Sequence, residues 1–386
     1  MSMLYLDNAA TTPVRPEVLE AMMPYLTQWF GNPSSHHTVG EAAANALTDA
    51  RARIARILGM RTSDIVFTSG GTEANNLAVK GIAIAAQLSR AATRGGHIVT
   101  SPIEHESIIE SVDYLTRVHG FEVTRVPVDR AAKIDPEALA RALRDDTALV
   151  TIGYANNEVG TIQDVATLAA IAHERGIPMH VDAVQAAGWL TLSARDLGAD
   201  AVSIAGHKLG APKGTGLLAI RGRVPLEPLL HGGGQERGRR SGTEDVAGAV
   251  GLAAALELAE AEREEASARV TALRDRFITR VLALVPAARL TGDPVQRLPG
   301  TASFTFAGTS GEAILLELER RGVVSSSGSA CAAGSDEPSH VLVAMGIAPE
   351  VAQTAVRFTF SHAQHGSLDV VADAVAASVI AVQSGG

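Results

Sequence analysis

Short apolar runs alternate with longer amphipathic stretches over about the first 260 residues of the chain. Each run is rich in branched aliphatic residues, which is typical of a buried strand, and each stretch between runs has the length of a helix. The predicted strands are residues 64–69, 97–101, 121–127, 148–153, 178–182, 201–204 and 216–220, and the predicted helices include residues 73–88, 137–144 and 165–175. Strands that alternate with helices predict a largely parallel α/β sheet that is covered on both faces.

The pattern changes after the last of these strands. Ser241 and Glu244 have the spacing of a capping box, in which side chains satisfy backbone N–H groups at the start of a helix. Strong helix formers then continue to about Val285, which predicts one long helix or two abutting helices. The elements predicted beyond that point indicate a second, smaller α+β domain, and they are residues 302–306, 312–321 and 356–360.

Composition and charge exclude several classes of protein. Of the 386 residues, 46% are hydrophobic and 19% are charged, a balance that excludes disorder for most of the chain. The net charge of −9 argues against a protein that binds nucleic acid or an anionic membrane. No apolar run is long enough to span a bilayer, and the N-terminal residues lack the features of a signal peptide, so we expect a cytoplasmic protein.

Several familiar motifs are absent from the sequence. It contains no ATPase-type phosphate-binding loop and no Gly-x-Gly-x-x-Gly after a predicted strand, which argues against ATPases and dinucleotide-binding enzymes. A single cysteine excludes paired-cysteine zinc and redox sites. His36 and His37 are adjacent, and adjacent side chains do not converge well on one ion, so we predict no metal site.

The turn at residues 68–73 joins a predicted strand to a predicted helix and is built mostly of small residues. Free backbone N–H groups and the helix dipole make such a helix start suitable for binding an anion. An ordinary strand-to-helix turn has the same composition, so this feature by itself leaves both interpretations open.

Two further polar residues follow predicted strands. Asp182 ends an apolar strand, where it is either a site residue or the cap of the segment that follows. Lys208 lies between Gly206 and Gly210 beside an apolar strand, which favours a desolvated amine, whereas most lysines are solvated surface charges. A phosphate site, a carboxylate and an amine are what pyridoxal phosphate (PLP) requires, because the amine binds its aldehyde and the acid binds its pyridine nitrogen.

Cys331, the single cysteine, lies among small and mostly polar residues at 325–335. Free cysteines are usually buried as small apolar residues, but this composition is typical of a loop rather than a core. A thiol on such a loop suits a nucleophile that accepts a group at one site and delivers it at another.

The motifs of the chain, taken in order, resemble those of one family. The chain is similar to the cysteine desulfurases of the iron–sulfur-cluster (NifS/IscS-like) type, which are fold-type I PLP enzymes of the class-V aminotransferase family. The matching segments extend over nearly the whole chain: residues 5–13, 30–35, 68–75, 103–105, 156–160, 182, 208, 231–237, 240–243 and 327–331. The resemblance implies an α/β fold with a large PLP-binding domain and a small α+β domain that carries Cys331, namely residues 15–259 and residues 1–14 with 260–386.

The resemblance also implies roles for individual residues. Lys208 would form a Schiff base with PLP, Asp182 would pair with its pyridine nitrogen and His105 would stack on its ring. Asn157 and Arg357 would hold the substrate carboxylate, Arg357 by bidentate pairing. The full set of implied PLP-binding residues is Gly71, Thr72, His105, Asn157, Asp182, Gln185, His207 and Lys208, with Thr243 from the neighbouring subunit of a homodimer.

The implied activity is the removal of sulfur from L-cysteine, which gives L-alanine and a persulfide on Cys331. Lys208 would move the Cα proton, His105 would carry a proton to or from the sulfur, and the persulfide would pass to acceptors such as an iron–sulfur scaffold protein or a tRNA-thiolation enzyme. Ala205 departs from the family pattern, because many members have a phosphate-binding serine there, and its methyl group donates no hydrogen bond. A selenocysteine lyase and a catalytically idle scaffold that recruits sulfur-transfer partners remain as alternatives.

Overall fold

The computed structural model describes residues 3–89, 96–328 and 337–384 of the chain. The strands in these ranges are β1 (Leu4–Tyr5), β2 (Ile65–Thr68), β3 (His97–Thr100), β4 (Glu122–Arg125), β5 (Thr147–Gly153), β6 (Met179–Asp182), β7 (Ala201–Ala205), β8 (Gly216–Ile220), β9 (Ala288–Leu290), β10 (Thr301–Phe306), β11 (Val323–Val324) and β12 (Val356–Thr359). They form sheets of seven, three and two strands.

The helices in the same ranges are α1 (Pro16–Thr27), α2 (Thr38–Leu58), α3 (Gly71–Ser89), α4 (Glu106–Tyr114), α5 (Pro136–Ala142), α6 (Val165–Glu174), α7 (Val246–Leu284), α8 (Gly311–Arg320), α9 (His340–Ala344), α10 (Pro349–Ala352) and α11 (Asp369–Ser384). Each strand and helix predicted from the sequence corresponds to one of these elements. Within the described ranges, no helix is both long and apolar enough to pass through a bilayer.

The seven-stranded sheet has the strand order β2-β8-β7-β6-β5-β3-β4. β8 is antiparallel to both β2 and β7, and the other neighbouring strands pair in parallel. The predicted α/β fold with a mostly parallel, mixed sheet is therefore confirmed. Lys208 lies in the connection between β7 and β8.

The carboxyl ends of β2, β5, β6 and β7 meet at one edge of the seven-stranded sheet because these strands point the same way. Their last residues are Thr68, Gly153, Asp182 and Ala205. In open α/β sheets, the crevice beyond such an edge is where ligands bind. The strand order therefore brings together four strand ends that lie far apart in the sequence.

The long helix α7 begins later than the sequence predicts. The predicted capping box at Ser241 and Glu244 is wrong, because the Asp245 carboxylate caps the helix by accepting a hydrogen bond from the Gly248 amide at 2.8 Å. The Ser241 hydroxyl instead accepts from the Gly234 amide at 3.3 Å. Asp245 lies next to the first helical residue, so its side chain reaches the first-turn amides directly. Of the two possibilities left open, one long helix is observed.

The central sheet is covered on both faces by apolar cores, and a further core lies against the three-stranded sheet. The N-terminal half of α7 packs into the first of these cores, and its C-terminal half packs into the core of the three-stranded sheet. Trp189 contacts both cores. β1 pairs with β11, so the N-terminal residues join the C-terminal part of the chain. The division of the chain into two domains stays a prediction.

Candidate active site

A cavity of about 560 Å³ opens beyond the carboxyl edge of the central sheet. This volume is typical of small-molecule sites. Nine of the residues singled out in the sequence line it, namely Gly71, Thr72, His105, Asn157, Asp182, Gln185, His207, Lys208 and Arg357. Cys331 lies outside the described residues, so its predicted role stays a prediction.

Thr243 does not line this cavity. It is exposed and lines a smaller cavity of about 160 Å³ together with Ser69 and Gly214, which also line the main cavity. Thr243 therefore lies outside the wall that Ser69 and Gly214 form. Its predicted action on the site of a neighbouring subunit stays a prediction.

The first turn of α3 forms one wall of the main cavity. A Cβ atom at Gly71 would lie 2.9 Å from Val184 Cγ2 and 3.2 Å from Ala205 Cβ, so a side chain at this position would force its neighbours apart. The first N–H groups of a helix have no partner within the helix and carry the positive end of its dipole. This packing explains why glycine is needed at the helix start, and the anion site stays a prediction.

Asp182 is held in place where β6 reaches the cavity. Its side chain accepts hydrogen bonds from Asn75 Nδ2 at 2.7 Å and from the Val184 amide at 2.9 Å, and the residue is 8% exposed. Asn75 Nδ2 also donates to Ser107 Oγ at 2.9 Å, while Asn75 Oδ1 is buried with no hydrogen-bond partner among the described residues. The sequence analysis assigns Asn75 no role. The one available signal is its spacing of four residues from Gly71, which places both on one helix face.

The Lys208 amine contacts the N-terminal segment of the chain. Its Nζ donates to the carbonyl oxygen of Ala10 at 2.8 Å and to that of Ala9. Gln185 Nε2 also donates to the Ala9 carbonyl, at 3.0 Å. Both contacts use N–H donors of the amine, so they fix the position of Nζ against the N-terminal segment.

His207 precedes this lysine and is a neutral side chain at pH 7. Burial, helped by the positive charges of Lys208 and Lys213, lowers the pKa of His207 to about 4. Its Nδ1 lies 3.2 Å from Thr11 Oγ1. A neutral imidazole keeps one N–H group, so it can still donate a hydrogen bond to an anion.

His105 is the N-cap of α4. Its Nδ1 accepts a hydrogen bond from the Ser107 amide at 3.1 Å and lies 2.8 Å from Ser107 Oγ. A ring nitrogen that accepts from a backbone amide carries no proton, so the neutral ring carries its proton on Nε2. The fold therefore selects one tautomer of His105.

Arg357 brings a buried guanidinium to the cavity, with its side chain 3% exposed. Nη2 lies 2.7 Å from Asp7 Oδ1, and Nη1 donates to the Asn157 carbonyl oxygen at 2.7 Å. Nε is buried and has no hydrogen-bond partner among the described residues. The guanidinium is thus fixed by an acid and retains a donor for a further acceptor.

Glu104 also lines the cavity and is absent from the sequence-based predictions. Burial raises the pKa of Glu104 to about 8, because desolvation outweighs its hydrogen bonds with Ser101 Oγ at 2.5 Å and the Gly153 amide at 2.7 Å. A Cβ atom at Gly153 would lie 3.1 Å from Glu104 Oε2. The sequence shows only that Glu104 precedes His105, which does not reveal its hydrogen bonds with Ser101 and Gly153.

Comparison with known proteins identifies the family. Residues 4–367 match the family Aminotransferase class-V. "Cysteine desulfurase IscS" of Dictyoglomus turgidum is 47% identical, over 92% of this chain and 89% of its own length. A solved "NIFS-LIKE PROTEIN" has a TM-score of 0.87 and 35% identity, covering 99% of this chain and 98% of that chain. "SspA in complex with cysteine" has a TM-score of 0.80 and 36% identity, covering 92% of this chain and 98% of that chain.

The chain belongs to the cysteine desulfurases of the class-V aminotransferase family. The resemblance and the fold class stated from the sequence are thereby confirmed. Cysteine desulfurases of this family are PLP enzymes, so PLP is the cofactor to be tested against the cavity.

The cavity of this cysteine desulfurase fits PLP in the chemistry of its polar groups. The helix start at Gly71, which packs closely against Val184 and Ala205, suits the phosphate. Asp182 suits the pyridine nitrogen, and Lys208 suits the aldehyde. The buried Asn75 Oδ1 and Arg357 Nε, which lack partners among the described residues, indicate that ligand atoms complete the site. Ala205 places a buried methyl group beside the helix start, where a serine would offer a hydroxyl.

Proposed function

We propose that this protein removes the sulfur of L-cysteine, releases L-alanine and retains the sulfur on Cys331 as a persulfide. The observation that carries the proposal is the cavity itself, in which an amine, a buried carboxylate, an imidazole and a buried guanidinium line one volume beside a helix start. Membership of the cysteine desulfurases supports the same conclusion.

The residues that would hold PLP within one subunit all line the cavity described above. Lys208 would bind the aldehyde, and Asp182, fixed by its hydrogen bonds, would keep the pyridine nitrogen protonated. Gly71, Thr72 and His207 would hold the phosphate, because the helix start and a neutral imidazole both offer N–H donors to an anion.

The remaining contacts to PLP would come from residues between these groups. His105, Gln185 and Asn157 line the same cavity and would contact the ring. Thr243 would reach the phosphate of the neighbouring subunit in a homodimer, which agrees with its exposure and with its place outside the cavity wall. The site would then be completed by the second copy of the chain.

Arg357 and Asn157 would bind the carboxylate of the substrate. The Arg357 guanidinium is held by Asp7, and its buried Nε still lacks an acceptor among the described residues. A carboxylate would accept from Nε and an adjacent guanidinium nitrogen in the bidentate geometry that arginine favours. Because this contact is buried, it would also fix the orientation of the substrate amine and thiol.

Proton transfer would fall to Lys208 and His105. The chemistry that PLP supplies when bound is an electron sink for the carbon next to the substrate amine. Lys208 Nζ, released from the Ala9 and Ala10 carbonyls, would take the proton from the substrate Cα. His105, with its proton on Nε2, would carry a proton to or from the substrate sulfur.

Cys331 would accept the sulfur. Its thiolate would attack the substrate sulfur and form an S–S bond, while the carbon–sulfur bond of the substrate breaks and its electron pair remains on the carbon. That carbon then takes up a proton, which gives L-alanine and leaves a persulfide on Cys331. A thiol and L-cysteine are thus converted into a persulfide and L-alanine with no external oxidant or reductant.

The persulfide would pass to acceptor proteins, among which an iron–sulfur scaffold fits the IscS-type relatives, and a tRNA-thiolation enzyme would use the same chemistry. The reducing cytoplasm is the compartment that suits this reaction, because it keeps Cys331 as a free thiol between turnovers.

Variants of Lys208 and Cys331 test the proposal. Lys208→Ala should lose both the visible imine absorbance and turnover, because the amine that binds PLP is removed. Cys331→Ser should keep the absorbance but lose the persulfide and the sulfide released from L-cysteine in the presence of a reductant. Lys80→Ala, which lies away from the cavity and donates to Asn76 Oδ1, should behave as wild type and serves as the control.

The measurements are the absorbance of the PLP-reconstituted protein and the alanine and sulfide formed from L-cysteine. Release of alanine by Cys331→Ser at the wild-type rate would contradict the role of the thiol. Selenocysteine turnover that survives in this variant would favour a selenocysteine lyase. Wild-type protein that binds PLP but forms no alanine would favour an idle scaffold.

A further inference from the structure

Glu158 is a buried acid that the proposed mechanism does not use. It is 5% exposed and follows Asn157 in the turn after β5. Asn156 fixes this turn, because its Oδ1 accepts hydrogen bonds from the amides of Glu158 and Val159, each at 2.9 Å. The Glu158 carboxyl group therefore extends from a backbone that is itself held in place.

Ser339 is the hydrogen-bond partner of this carboxyl group. The Ser339 hydroxyl donates to Glu158 Oε2 at 2.5 Å and accepts from the Leu342 amide at 3.2 Å, which makes Ser339 the N-cap of α9. Ser339 is 5% exposed, so water competes weakly for either bond. One hydroxyl group thus joins the start of α9 to the turn that carries Glu158.

The chain also meets Glu158 on the other side of Cys331. Gly328 has a φ of +88°, and a Cβ atom built on it would lie 3.6 Å from both Cβ and Oε2 of Glu158. The Gly328 carbonyl oxygen lies 3.4 Å from Arg357 Nη1. Glu158 therefore lies next to Gly328, the last described residue before Cys331. It is also hydrogen bonded to Ser339, which is among the first described residues after Cys331.

His340 provides a second connection from α9 to the cavity. Its Nε2 lies 3.0 Å from the Glu104 carbonyl oxygen, and its Nδ1 lies 3.6 Å from the Glu106 carboxylate. These two acids flank His105 in the sequence. The start of α9 is thus attached to two of the turns that present cavity residues, the turn of His105 and the turn that carries Glu158.

We propose that Glu158 is a positioning residue for sulfur transfer: its hydrogen bond to Ser339 and its proximity to Gly328 hold the chain on the two sides of Cys331 against the turn that carries Asn157. The inference rests on the proposed role of Cys331 as sulfur acceptor. The thiolate must meet the substrate sulfur in line, and a displacement of about 1 Å can slow such a step by about 100-fold. Loss of the contact would therefore slow sulfur transfer and spare the earlier binding of L-cysteine.

Glu158→Gln separates the hydrogen bond from the charge. Burial raises the pKa of Glu158, while the Ser339 hydrogen bond and the charges of His340 and Arg357 oppose that rise. A buried carboxyl group is costly unless it is hydrogen bonded, so the Ser339 contact explains why the acid is tolerated. The glutamine amide keeps an oxygen that can accept from Ser339, so this conservative variant should restore most of the rate that alanine loses.

The test compares two steps in the PLP-loaded enzyme after rapid mixing with L-cysteine. The first step is the change in absorbance on substrate binding, and the second is persulfide on Cys331, measured by mass spectrometry. Glu158→Ala and Ser339→Ala should keep the first step and slow the second by about 10- to 100-fold. The double variant should be no slower than the slower single variant, because both substitutions remove the same hydrogen bond between Glu158 and Ser339.

Ser310→Ala is the matched control, because Ser310 caps α8 through the Ala313 amide at 3.3 Å and lies away from the cavity. It should form persulfide at the wild-type rate. If Glu158→Ala does not fold, Ser339→Ala against Ser310→Ala makes the same comparison. Wild-type persulfide rates in both alanine variants, equal slowing of both steps, or multiplied losses in the double variant would each overturn the proposal. Absence of persulfide in the wild type would instead overturn the proposed function and this inference with it.

Discussion

Burial changes the proton affinities of two single residues, Glu104 and His180, in opposite directions. Burial raises the pKa of Glu104 to about 8, because the carboxylate form loses hydration. Burial lowers the pKa of His180 to about 4, because the charged imidazolium form loses hydration. The His180 ring lies between Thr151 Oγ1 and Ser203 Oγ. Both side chains are therefore mainly neutral around pH 7.

The Glu104 carboxyl group makes stability depend on pH. The pKa of Glu104 is about 8 in the folded protein, against an ordinary value of 4.5. The stability that the protonated carboxyl group contributes is therefore fully present below pH 4.5 and is lost as the pH rises through about 8. The wild-type free energy of unfolding should fall over this range, by up to about 1.4 kcal/mol per pH unit from this group. Glu104→Gln, whose amide oxygen can still accept from Gly153, should remove that part of the slope.

Urea denaturation of the PLP-loaded proteins at pH 6 and pH 8 measures this difference. Compared with wild type, Glu104→Gln should be relatively more stable at pH 8 than at pH 6. Equal pH dependence of the two proteins would show that Glu104 does not titrate as its burial indicates.

At the scale of elements, the strand that leads to the predicted phosphate site is held by a buried ion pair. Arg51 of α2 and Glu236 form two hydrogen bonds of 2.7 Å, with side chains 10% and 2% exposed. Arg51 also donates to the Ile65 carbonyl of β2 at 2.7 Å, and Glu236 accepts from the Phe67 amide at 3.1 Å. Glu236 has a φ of +49°, which is rare without glycine, so its side-chain contacts maintain a strained backbone.

Removing one charge of this pair should be costly. Glu236→Gln leaves the Arg51 guanidinium buried without its counter-ion, and we expect a loss of about 3–5 kcal/mol in the free energy of unfolding. Glu137→Gln is the control, because Glu137 and Arg141 are 85% and 67% exposed and lie 3.5 Å apart. Such a surface pair contributes less than about 1 kcal/mol. Equal losses in the two variants, measured by urea denaturation, would refute a special role for burial.

The strands of the central sheet could be predicted from the sequence because the spacing of apolar residues indicates burial, whereas helices such as α2 and α11 are not among the predicted elements. The antiparallel direction of β8 could not be predicted, because the apolar pattern of a strand does not depend on its direction in the sheet. The capping box failed because Ser241 and Glu244 satisfy a local pattern, whereas the competition with Asp245 is decided by backbone geometry. Lys208 and Asp182 could be predicted as site residues, since each follows an apolar strand. Glu104 and Asn75 could not, because their partners come from distant strands and helices.

At the scale of the molecule, α7 connects two cores. Phe277 in its C-terminal half has its ring centroid 5.2 Å from that of Phe358 and 5.6 Å from that of Phe360. Phe277→Ala should reduce the stability of this core by about 3–5 kcal/mol, since it removes a fully buried aromatic ring. Val370→Ala, at a side chain 79% exposed, is the control and should have little effect.

Hydrogen exchange resolves where this loss falls. If the predicted division into two domains holds, amides of β10 should exchange faster in Phe277→Ala, while those of β6 should keep wild-type protection. Equal acceleration in both strands would instead mean that the chain unfolds as one unit and would contradict the predicted domains.

The pairing of β1 with β11 has a consequence for how the protein is made. Asp7 bridges to Thr359, and the residues that follow it, Ala9 and Ala10, provide the carbonyl groups that hold Lys208. During translation, β1 and Asp7 are synthesised long before β11 and Thr359, so these pairings cannot form while the central sheet is still being synthesised. The bridge from Asp7 to the C-terminal part of the chain therefore forms only after translation has passed Thr359. A nascent chain that stops short of that point lacks this bridge, however well its central sheet has folded.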